Sequence, residues 1–174
     1  MINVKNVFTE LFSYIEPFQT EYGNQVSKPL FHLGDQSELD KVIMTADKND
    51  VKPYPFIWYK LPNSLLENDH YIKGSFEFVI ANLTEYHWLN DQRFDESFTK
   101  ILYPISEKVI NAFKQAGNVQ LNYISDKNFW ERTEYPNYGY RQGSKDQDKT
   151  EYWDALLLKV NLTINNNCIG TLKL

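Results

Sequence analysis

Between residues 95 and 116, Phe98, Ile101, Leu102, Ile105, Val109, Ala112, Phe113 and Ala116 recur at steps of three and four. That spacing draws one apolar stripe along an α-helix, with Glu96, Lys100, Glu107, Lys108, Lys114 and Gln115 on the other side. Asp95 stands where an N-cap would, and Gly117 where a left-handed residue would close the helix. Pro104 falls inside the stripe, removes a backbone donor and predicts a kink or a local end. A second stripe, Val4, Val7, Phe8, Leu11, Ile15 and Phe18, predicts an N-terminal helix over residues 3–19 capped by Asn3, with Pro17 disturbing its last turn. So short a helix is marginal alone and must dock on something.

The remaining periodicity is that of strands. Residues 71–82 alternate, with Phe76, Phe78 and Ile80 on one face and Glu77, Val79 and Ala81 on the other. Residues 156–164 do the same, Leu156, Leu158, Val160, Leu162 and Ile164 opposing Lys159, Asn161 and Thr163. Residues 56–61 are rich in β-formers, and Pro53 and Pro55 precede them, where a ladder donor is not needed. Shorter strands are predicted at 30–33, stopped by Gly34, and at 119–124 and 128–135. A helical turn is predicted at 37–44, and an edge strand or short tail at 168–174. Trp88 and Leu89 are expected to fold beneath the connection into the long helix. The stretch 135–153 has tyrosines, glycines and mixed charges without a period, so it reads as an exposed loop or arm. The sum is one α+β domain over residues 1–174: a mixed or mainly antiparallel sheet packed by the N-terminal helix and one long central helix.

Composition adds exclusions. A chain of 174 residues with 42% hydrophobic and 24% charged residues is long enough to bury a core. A net charge of −5 argues against general binding to nucleic acid or anionic membranes. The single Cys168 excludes an internal disulfide framework and a cysteine-based metal cage, and points to a reducing compartment. The first residues lack the pattern of a signal peptide, and no apolar run approaches the about 20 residues that span a bilayer. The glycosylation sequons at Asn82 and Asn161 fall inside predicted strands and are read as chance.

Chemistry is sparse. His32, His70 and His87 belong to no metal-binding spacing, and neither phosphate-binding loops nor a G-x-S-x-G nucleophile turn occurs. Asp91, Asp95 and Glu96 cluster where the central helix begins. On composition alone they could form a general acid/base pair, but acidic residues facing the unpaired amides and positive dipole of a helix start account for them. No catalytic residue, cofactor site or metal site follows. The aromatic share of 16% is weighted towards tyrosine, and what exceeds expectation is one Tyr/Trp cluster between residues 130 and 153. Trp130, Tyr135, Tyr138, Tyr140, Tyr152 and Trp153, with Arg141, are the candidate contact residues. About half of these rings belong to strand faces, and a protein–protein interface accounts best for the others. Stacking on a sugar is the alternative use.

The order of elements and four short motifs carry a resemblance. An amphipathic N-terminal helix is followed by YPFIWYKLP, then by the strand SFEFVIANLT, the connection WLNDQRFDESF and the helix FTKILYPISEKVINAF. This resembles the tail-terminator and tail-completion proteins of tailed bacteriophages, above all those of Bacteroidetes phages and prophages, over most of residues 1–164. The resemblance implies a virion structural protein without cofactor or reaction, assembled in the host cytoplasm into a homomeric and commonly hexameric ring at the head–tail neck or tail end. Its partners would be further copies of itself and adjacent tail-tube, connector or portal proteins. Genomic DNA would pass through without specific binding, and no membrane would be involved. Another neck or portal-ring protein of a short-tailed, crAss-like phage is the nearest alternative. A monomeric aromatic-rich ligand-binding module and a small hydrolase are alternatives of other classes.

Overall fold

The computed structural model describes residues 2–16, 18–20, 25–48, 54–61, 65–85, 87–142 and 150–165. The fold is α+β. Two long antiparallel strands form its centre, β6 (Tyr71–Thr84) and β9 (Thr150–Asn165), and the apolar alternation read in both is what places them there. Each has two shorter strands along its outer side. Beside β6 lie β4 (Phe56–Lys60) and β5 (Leu65–Glu67). Beside β9 lie β7 (Val119–Asn122) and β8 (Trp130–Gln142). A last strand, β3 (Leu30–Gly34), runs parallel to β4; every other pair in this sheet is antiparallel. A separate two-stranded ribbon joins β1 (Phe18–Thr20) to β2 (Gln25–Ser27).

Helices cover both faces. On one, α1 (Val4–Ser13) and the central helix lie over Phe76, Phe78, Ile80, Leu156, Leu158, Val160 and Leu162, all of which are buried. Phe8 is the hub of this core, ringed edge-on by Phe31, Tyr59, Phe76, Phe78 and Phe113 and stacked with Phe12. On the other face, α2 (Gln36–Lys48) packs Leu39 and Ile43 on Phe56, Trp58, Val79, Ala81 and Ala155. Helix α2 ends short of the lower part of that face, so there Lys73, Ser75 and Lys159 stand exposed in the alternation of a half-solvated sheet.

The N-terminal helix keeps its expected cap, with Asn6 N–H donating to Asn3 Oδ1 at 3.2 Å, but it ends at Ser13 rather than near residue 19. Residues 18–20 turn into β1 instead, and Pro17 lies outside the described residues. The central helix starts earlier than its stripe suggested. It comprises α3 (Asn90–Arg93), a π-helical segment (Phe94–Leu102) and α4 (Tyr103–Gln115). Its N-cap position is Leu89 and not Asp95, and Gln92 Oε1 accepts from the Leu89 N–H at 3.2 Å. Leu89 is 74% exposed rather than folded beneath the connection, while Trp88 is half-buried. The helix does not end at Pro104. The preceding turns widen, so that Tyr103 N–H reaches Phe98 O five residues back. A widened turn carries the carbonyl that the proline ring would strike out of its path, and the helix continues through it.

The helix ends without a left-handed glycine. Ala116 is extended at φ −71° and ψ 120°, and Val119 N–H closes the turn on Ala116 O. A Cβ on Gly117 would meet nothing within 4 Å. Gly117→Ala is therefore expected to stabilise the fold by about 0.4–1 kcal/mol through the unfolded chain, a rise in the urea midpoint at unchanged slope.

The largest departure is at 135–153. Residues 135–142 and 150–153 are strand, the paired arms of a β8–β9 hairpin, and only 143–149 lie outside the described residues. Pro136, Gly139 and alternating charges concealed the strand by marking a bulge: four steps along β8 from Tyr135 to Gly139 oppose two along β9 from Ala155 to Trp153. The edge strand or tail expected at 168–174, including Cys168, also lies outside the described residues.

Candidate interaction surface

The bulge is held from across the sheet. Asn137 sits at its apex with φ 56°, and its N–H donates to Asp154 Oδ1 at 2.9 Å. The same oxygen accepts from Arg93 Nη1 at 2.9 Å, with the two side chains 1% and 0% exposed. Arg93 also donates to the Thr84 hydroxyl and to the carbonyls of Glu85 and Trp88 at 2.9 and 3.0 Å. The other oxygen of Asp154 is buried with no hydrogen-bond partner among the described residues, so its charge rests on Arg93 and one amide. This clamp ties the end of β6, the start of the central helix and the hairpin together. It gives structural content to the LNDQR motif: Gln92 caps, and Arg93 fastens.

The seven residues singled out from the sequence do not form one patch. Trp153 is 4% exposed and belongs to the core beneath α2, its ring edge-on to Phe56 and its Nε1–H donating to Tyr54 OH at 2.7 Å. Tyr135 and Tyr138 flank the bulge on that same side of the sheet, 5.8 Å apart and edge to face, with Tyr135 41% exposed. Burial, then the negative charge of Glu77, raises the Tyr138 hydroxyl above its ordinary pKa. Tyr152 is half-buried and pairs with Tyr140, and Arg141 pairs with Glu151 beyond the end of β6. The side chains of Tyr140 and Arg141 lie outside the described residues.

Trp130 is on the side of α1 and the central helix, at the other end of β8. Lys114 Nζ stands 4.8 Å from the centre of its ring. Beside it Phe129 stacks on Tyr123 at 4.2 Å, because the 123–129 turn closes on itself through Ile124 N–H to Asn128 O at 2.7 Å. Trp130, Phe129, Leu121, Val119 and Phe113 line an open groove of about 360 Å³ against Lys114. Tyr123 and Phe129 were not singled out from the sequence. The signal available was the turn-forming run Ser125-Asp126-Lys127-Asn128 between two aromatics.

Titratable groups are dispersed. His70 and His87 are exposed. Burial lowers the pKa of His32, partly offset by Glu38. Burial and the Glu134 carboxylate, which accepts from its hydroxyl, raise that of Tyr103. Asp91 and Asp95 are exposed, and Glu96 pairs with Lys100 at 2.7 Å, an i,i+4 surface bridge. Among the described residues no group of three or more His, Cys, Asp or Glu side chains could hold a metal ion, and no helix is long and apolar enough to cross a membrane. No protein-family model, curated protein or solved structure matches the chain.

Proposed function

We propose that this chain is a virion structural protein of a tailed phage, assembling into a homomeric ring at the head–tail neck or tail end between connector and tail. The observation that carries the reading is the pair of open edges of the sheet. Among the described residues β3 pairs only with β4, and β8 only with β9, at opposite sides of the same sheet. An exposed edge is a template for another strand, and contact between two unlike edges is heterologous, so it propagates from copy to copy and forms a ring where the rotation closes. The motifs behind the phage resemblance support it by taking coherent roles: YPFIWYKLP builds β4 and LNDQR the helix start with its clamp. The net charge of −5 suits a channel wall that lets a DNA backbone pass unheld.

Light scattering and negative-stain imaging, with and without phage particles, test this. A particle of several copies around a central channel is expected. A chain that stays monomeric in solution and never joins particles overturns the reading.

A further inference from the structure

Resting on that ring reading, we infer that residues 130–135 of β8 in one copy receive strand β3 of the next copy. Four observations converge on this second copy as the occupant. The straight part of β8, before its bulge, spans six residues against the five of β3, so the two unpaired ladders match in length. Their directions match as well. β8 runs antiparallel to β9 and therefore along β6, whereas β3 runs with β4 and against β6. Two copies related by rotation about an axis along the strands would thus meet antiparallel, with their helices on the same side.

The faces meet in register. On the α1 side Phe31 and Leu33 of one copy come level with Glu134 and Arg132 of the next, and Trp130, one position past the end of β3, is the diagonal neighbour of Leu33. On the other side Leu30 of one copy comes level with Tyr135 of the next. Finally, the charges of β8 on the α1 side are already partnered. Arg132 is bound to Glu107, and Glu134 accepts from Tyr103 OH at 3.2 Å, within the same copy. These charges blunt the edge against indiscriminate pairing while leaving the ladder available to one partner of fitting shape.

The sheet register makes this testable. His32 lies level with Trp58, Val79, Leu157 and Thr133 in turn, on one face of the sheet. A chain carrying Cys168→Ser, His32→Cys and Thr133→Cys is oxidised mildly and run on a denaturing gel, after circular dichroism in reductant has verified its fold. The expected result is a ladder ending at the subunit number of the ring, reversed by reductant. A two-residue stagger moves the ladder to Leu30→Cys or Gly34→Cys with Thr133→Cys, which supports the same junction. Dimers that never grow overturn the inference in favour of a two-fold contact. If rings form by light scattering but none of the three pairs ladders, the junction is wrong and the ring reading stands. If the wild-type chain forms no assembly alone or with phage particles, the ring reading itself fails.

Discussion

Arg93→Ala is expected to destabilise the protein by about 3–5 kcal/mol, because it leaves the Asp154 carboxylate buried without its cation. Asp154 is fully buried and one of its oxygens has no hydrogen-bond partner among the described residues, so little remains to hold the charge. The truncation also strips donors from Thr84 and from the carbonyls of Glu85 and Trp88. Urea unfolding read by circular dichroism measures the loss. Replacing both partners, as Arg93→Met with Asp154→Leu, should recover a substantial part of it, since a buried pair is costly mainly when half of it is removed. A single substitution that moves the midpoint by less than the equivalent of about 1 kcal/mol would show that the clamp does not fasten the hairpin.

Phe8→Ala should cost about 3–5 kcal/mol, at the upper end for a core truncation. The ring is 0% exposed and stands between 5.1 and 6.5 Å from six other rings, on α1, β3, β4, β6 and the central helix. Those neighbours are held by five different elements and cannot all collapse inward, so a cavity persists. Against a total stability of about 5–15 kcal/mol, such a loss is visible as a fall in Tm of many degrees. Phe8→Leu should lose less. Near-neutral behaviour of the alanine variant would mean that α1 does not dock where the structure places it.

Both residues illustrate what the sequence can disclose. Phe8 was legible because its neighbours at Val4, Val7 and Leu11 repeat with helical spacing, and periodicity reports which side is apolar. Arg93 was not, because a charged residue in a polar connection reads as solvated, and its partner lies 61 positions away. A lone aspartate beside the apolar run at 155–158 was the available hint. The π turn was equally hidden: side-chain spacing reports a face, not which carbonyl each amide reaches. At Pro104 the sequence poses a conflict that the backbone resolves by widening. In β8, proline and glycine mean either loop or bulge, and only the cross-strand partner decides.

The contact residues divide along the same line. Trp153 lies under α2 and Trp130 at an open groove. Which side of a strand is covered depends on a helix far away in sequence. That dependence is also why Tyr123 and Phe129 emerge as a stacked pair only once their turn is closed.

The pairing of β6 with β9 has a mechanical consequence. All 14 residues of β6 oppose β9 without a register break, from Tyr71 opposite Asn165 to Thr84 opposite Tyr152. A force pulling along these strands loads the whole ladder in shear, so its bonds must yield together. The flanking strands, each pairing over a shorter stretch, can instead be peeled away in sequence. The molecule is therefore stiff along its strand axis and yielding at its sides.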